Sequence, residues 1–113
     1  RPTARSSRNL VATGAPKEKP KDQAYWSGRM TALLSQLDQD ATFSEALQSR
    51  INALTADFSA RDDPAQRDII AREREKSVDE LERLRKRIAD GRKAIADLQE
   101  EARRASVPAG WLR

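Results

Sequence analysis

The side chains able to do chemistry in this sequence are carboxylates, guanidiniums, amines and hydroxyls, because it contains no cysteine and no histidine. That composition removes thiolate nucleophiles, disulfides, zinc fingers and imidazole acid–base catalysis together. Two carboxylates stand side by side at Asp62 and Asp63. Adjacent carboxylates can begin a metal site, but a calcium loop needs further oxygen ligands at set spacings, and none follow here. The same pair followed by Pro64 is a helix-start signal. A short acid accepts from first-turn N–H groups, and proline at the first helical position gives up an N–H that would go unpaired. Asp63 and Pro64 are therefore read as structural residues. There is no Ser–His or Cys–His arrangement and no phosphate-cradling glycine loop. The expectation is a protein that is not an enzyme, with no cofactor, no metal and no small-molecule substrate.

The remaining chemistry is electrostatic. Residues 1–21 hold Arg1, Arg5, Arg8, Lys17, Lys19 and Lys21 against the single acid Glu18. Residues 22–113 hold sixteen basic and seventeen acidic side chains, so the formal net charge of +4 belongs to the tail. Such a tail can contact phosphates or an acidic partner. It has no aromatic residue for base stacking and no apolar helical face for insertion into a bilayer. Pro2, Pro16, Pro20 and Gly14 oppose helix there, and the expectation is a flexible, extended segment. Further along, Arg83, Arg85, Lys86, Arg87, Arg92 and Lys93 suggest a basic stripe. Asp79, Glu80, Glu82 and Asp90 are interleaved with them, which marks a solvated coiled-coil face rather than a nucleic-acid site.

The elements that must carry these groups are two helices. Apolar residues make up 37% and charged residues 35% of 113, with only Tyr25, Trp26, Phe43, Phe58 and Trp111 aromatic. That supply fits a thin seam between helices better than a thick core. Trp26, Met30, Leu33 and Leu37, then Leu47, Ile51, Leu54 and Phe58, step by four and three, and a second series runs from Ile70 through Leu81, Leu84, Ile88, Ile95 and Leu98 to Ala105. The fold class is all-α: an antiparallel two-helix coiled-coil hairpin, helices about 22–60 and 64–105, with a basic N-terminal tail over 1–21 and a non-helical C-terminal segment over 106–113. Asp22 caps the first helix.

Folding about residue 62 pairs positions whose numbers sum to about 124. Leu54 meets Ile70, Leu47 meets Ser77 and Val78, Leu37 meets Ile88, and Trp26 meets Leu98. Gly91 is set against Leu33, small against large. Asp40 and Ser44 interrupt the seam and fall near the basic cluster of the second helix. Either they specify register or a partner site, or the helix rotates so that Ala41 and Phe43 carry the packing. Thr42, Phe43 and Ser44 are weak helix formers in a row, so a bend is expected there. Asp68 with Arg72, Asp79 with Arg83, Glu82 with Lys86 and Glu100 with Arg104 have the favourable four-residue spacing. Pro108 ends the second helix, and Trp111 and Leu112 fold back onto Tyr25, Trp26, Leu98 and Ala102.

The stretches Ala24-Tyr25-Trp26, Ile51 to Phe58, Arg61-Asp62-Asp63-Pro64-Ala65-Gln66-Arg67 and Val107 to Arg113 carry a resemblance. Together, over most of residues 22–113, the chain resembles a group of uncharacterised, predicted-exported bacterial coiled-coil proteins. They share a Tyr-Trp helix start, an Asp-Asp-Pro turn and a Gly-Trp-Leu-Arg end. No activity comes with the resemblance. It implies a bacterial source, a periplasmic or secreted location, and a signal peptide removed ahead of Arg1.

Leu34, Phe43, Ile69 and Val78 lie off the seam, which predicts an apolar stripe wider than one partner helix satisfies. The expected function is a structural or protein-interaction module that self-associates or docks on a protein partner. The alternative is an adaptor that binds an anionic surface (nucleic acid, membrane or acidic protein) through the tail. No run is long and apolar enough to suggest a membrane span.

Overall fold

The computed structural model describes residues 20–113, and Arg1, Arg5, Arg8, Lys17 and Lys19 of the predicted tail lie outside them. Helix α1 spans Gln23–Ala60. Asp22 precedes it in extended backbone, and its Oδ1 accepts the Tyr25 N–H at 3.1 Å. The chain leaves the helix at Arg61, which returns to extended backbone and donates its N–H to the Phe58 carbonyl at 3.4 Å. Helix α2, Pro64–Arg104, follows with proline in its first turn. Asp63 stands at the cap position, but its carboxylate makes no capping hydrogen bond, contrary to the sequence expectation. Its carbonyl accepts the Arg67 N–H at 3.0 Å instead. Pro64 already fixes the first-turn backbone and lacks the N–H, and the exposed turn leaves the next donors to water.

α1 and α2 pack along their lengths as an antiparallel coiled-coil hairpin. The seam has two buried clusters. Leu47, Ile51, Leu81, Leu84 and Ile88 form one toward the closed end. Trp26, Met30, Leu98 and Ala102 form the other at the open end. Past α2, Ser106 adopts φ 59°, and a 3-10 turn over Ala109–Leu112 brings Val107, Trp111 and Leu112 back onto the open-end cluster. Trp111 stays half-buried, with its backbone N–H donated to the Pro108 carbonyl at 3.0 Å. No helix among the described residues is long and apolar enough to cross a membrane.

Two sequence expectations change here. Gly91 faces Leu37 rather than Leu33, and a Cβ at Gly91 would lie 3.8 Å from Leu37 Cδ1, an ordinary contact. Helical side chains lean toward their own N-terminus, so Leu37 reaches back over the glycine while Leu33 leans toward the open end. Nothing in the packing therefore requires a glycine at 91. α1 is continuous helix through Thr42, Phe43 and Ser44, the stretch with the weakest propensity. The Ser44 hydroxyl donates to the Ala41 carbonyl at 2.7 Å, so its polar group is satisfied within the helix itself. Finally, Phe43 is 47% exposed and does not fill the seam. Asp40 fills it, and is only 6% exposed.

Candidate interaction surface

A hairpin of two helices is a flat layer with two faces, and the residues flanking the seam decide how the faces differ. On one face the flanking positions of α1 are Arg29, Phe43 and Arg50, at multiples of seven. Those of α2 are Glu73, Glu80, Arg87 and Glu101. These groups join the two helices. Arg29 Nη1 and Nη2 donate to the two Glu101 carboxylate oxygens at 2.8 and 2.9 Å. Arg50 approaches Glu73 at 3.7 Å, and Arg87 approaches Asp40 at 3.4 Å. Gln36 Nε2 adds a 3.0 Å bond to the Asp40 carboxylate. The buried carboxylate thus has a cation and an amide donor, which is how a charge is tolerated inside a seam.

The open-end part of this face is the most elaborated. Arg29 Nη1 also donates to the Tyr25 hydroxyl at 3.1 Å, and its guanidinium lies 5.3 and 5.5 Å from the ring centres of Tyr25 and Trp26. The two rings meet edge to face at 5.2 Å. Lys21, the one tail cation within the described residues, lies 5.8 Å from the Tyr25 ring centre. The Arg29 hydrogen bonds hold the Glu101 carboxyl below the ordinary carboxylate value, and the same pairing raises the Arg29 guanidinium. At the other end of the hairpin, the Arg67 guanidinium lies 4.3 Å from the Phe58 ring centre. Its buried Nε has no hydrogen-bond partner, so the ring is the compensating contact.

The opposite face has no ion pair between the helices among the described residues. Its cross-helix bonds are Arg74 Nε to the Thr55 hydroxyl at 2.7 Å and a long 3.5 Å contact from Arg85 to Gln48. Shallow grooves run along it. One is lined by Phe58, Ala71 and Val78 together with Thr55, Ser59, Arg74 and Glu75. Another, at the open end, is lined by Met30, Leu34, Ile95 and Leu112, with Gln99 and Arg103 at its rim.

The four apolar residues singled out from sequence do not form one stripe. Leu34, 48% exposed, borders the open-end groove of the unpaired face. Phe43 borders a groove with Glu73, Lys76 and Glu80, on the ion-paired face. Nine residues separate the two, which is roughly half a turn out of phase at about 100° per residue. Ile69, 58% exposed, lies next to buried Ile70 and lines neither groove. Val78 is half-buried and packs against the closed-end cluster. Of the residues read as structural, Trp26 is buried in the open-end cluster with Trp111 packed against it.

The pairing of Arg29 with Glu101 is not among the sequence expectations. Both residues flank the seam, but a register near 124 sets Arg29 opposite Ile95, with Glu101 six residues beyond it, whereas the structure brings Leu37 to Gly91, Asp40 to Arg87 and Arg29 to Glu101. Among the in-helix pairs, Asp68–Arg72 forms at 2.7 Å and Glu100–Arg104 at 2.9 Å. Arg83 turns to Glu80 at 2.8 Å rather than to Asp79, and Glu82 pairs with no cation within 4 Å among the described residues. Glu100 also takes Arg103 at 2.6 Å, and the two guanidiniums, Arg103 first, hold its carboxyl below the usual range. Comparison with protein-family models, with curated proteins and with solved structures finds no match to this chain.

Proposed function

We propose that this protein is a non-enzymatic interaction module whose hairpin offers its unpaired face to a helical partner. The observation that supports this is the asymmetry of the two faces. Every ion pair that ties α1 to α2 lies on one face, while the other keeps Leu34 half exposed beside the open-end groove. A third or fourth helix laid on that face would bury it, as in a helical bundle. The test is a photo-crosslinking phenylalanine analogue placed at Leu34, and separately at Arg50 on the ion-paired face, in the full chain in its source cells. Position 34 yields a protein adduct and position 50 does not. Absence of any adduct at 34 contradicts the reading.

A second reading rests on the charge of residues 1–21, six basic against one acidic. In it the tail binds an anionic surface and the hairpin is a spacer. It predicts binding to vesicles of anionic lipid that weakens steeply with salt and vanishes without residues 1–21. Salt-independent binding contradicts it.

A further inference from the structure

α2 carries a second stripe that repeats every four and three residues, displaced from the seam toward the unpaired face. The stripe is self-complementary about a point between Arg83 and Leu84. Moving outward from that point, Glu82 is matched by Arg85, Val78 by Ala89, Glu75 by Arg92, and Ala71 by Ala96. Each acid is matched by a base and each apolar residue by an apolar residue. Turning the helix end over end therefore places every side chain of the stripe against a fitting one. All eight residues keep at least part of their surface exposed. Glu75, Glu82, Arg85 and Arg92 take part in no ion pair among the described residues.

We propose that the hairpin pairs with a second copy of itself, α2 antiparallel to α2 along this stripe, to form a four-helix assembly. The proposal names the partner for the interaction module above and rests on that reading. The stripe lies about a quarter turn from the seam, since seven-residue positions flanking it are displaced by roughly 100°. That is the angle at which a square bundle of four helices places its next neighbour. Charge over the whole hairpin favours the same arrangement. Residues 44–84 at the closed end carry seven basic and ten acidic side chains, while residues 22–43 and 85–113 at the open end carry nine and seven. Antiparallel copies set the acidic end of each against the basic end of the other. The matched stripe runs from Ala71 to Ala96, about 39 Å, and at a helix width of about 10–12 Å covers about 400 Å² of each copy, the size of a weak, reversible interface. On α1 the same axis passes near residue 44, since Asp40 lies level with Arg87 and Leu37 with Gly91, and it brings Glu45 close to its own copy. That contact is unfavourable, so α2 against α2 carries the pairing.

Charge reversal tests the pairing with the full chain. Wild type sediments as a dimer at micromolar concentration. Arg92→Glu and Glu75→Arg each place like charges together twice in a dimer, and each weakens association about tenfold or more. An equimolar mixture of the two restores a dimer, because every such contact then joins Glu to Arg, and native mass spectrometry finds one copy of each. Both positions are exposed, and helical circular dichroism checks that each variant stays folded. A monomeric wild type, or single variants that dimerise as well as wild type, overturns the proposal. If the wild type is monomeric and the probe at Leu34 still captures a different protein, self-pairing is wrong and the interaction module stands. If that probe captures nothing, both fail.

Discussion

Arg29 grips both carboxylate oxygens of Glu101, 72 residues away, with bonds of 2.8 and 2.9 Å. The pair ties the first turns of α1 to the last turns of α2 beside the buried Trp26. Its contribution depends on pH with a fixed sign. The Glu101 carboxyl sits below its ordinary value of 4.5 in the folded chain. A depressed acid contributes stability that is fully present above its unfolded value and is lost as pH falls through the folded one. Thermal melts of wild type and Glu101→Gln should therefore differ at pH 7, with wild type higher, and converge in strong acid below pH 4.5. A gap that stays constant into acid would show that the pair contributes nothing through its charge.

Trp111 returns from the 3-10 turn to pack against the Trp26–Leu98 cluster. Removing a half-buried indole forfeits apolar contact worth about 1–2 kcal/mol. Trp111→Ala should lower the melting temperature by several degrees. An unchanged melt would show that the C-terminal segment does not hold the open end.

Gly91 lies within a helix, with room for a methyl group 3.8 Å from Leu37. Replacing an interior helical glycine by alanine removes an entropic cost of about 1 kcal/mol without overpacking. Gly91→Ala should raise the denaturation midpoint with an unchanged slope in urea. A lower midpoint would mean that the helices approach more closely there than the contact indicates.

Asp40 places a carboxylate in the seam at 6% exposure, held by Gln36 and Arg87. A well-packed apolar residue at a buried ionic position is often neutral or stabilising by about 1–4 kcal/mol. Asp40→Leu should therefore raise the melting temperature. Arg87→Ala should lower it, because it leaves the buried carboxylate with an amide donor alone. The opposite order would mean that the ion pair outweighs continuous apolar packing.

These residues also show what could be read from the sequence. Helix bounds were legible because Asp22, Pro64 and the four–three steps act locally, through backbone and periodicity. The hairpin followed from a connection too short for any other arrangement. Gly91, Phe43 and Arg29 were not legible, for a shared reason. Which partner each meets depends on side-chain lean and on which face of the seam a residue flanks, and both need the two helices at once. Counting Leu34, Phe43, Ile69 and Val78 as one stripe failed on the same point. Asp63 failed differently: residue type marks a cap position, while the rotamer decides whether the bond is made. The matched stripe on α2 is fully present in the sequence, but it lies beside the stronger seam and its matching involves a second copy of the helix.

The most direct measurement is the separation of spin labels on the outer side of α2. The chain has no cysteine, so one introduced at Lys86 or at Lys93 labels a single site per copy. With antiparallel pairing centred between Arg83 and Leu84, labels at 86 lie about 20 Å apart across two copies and labels at 93 about 34 Å, at about 1.5 Å of rise per residue. Distances that grow in this way from 86 to 93 support α2 antiparallel to α2. Equal distances at the two sites, or no coupling between copies, would contradict it.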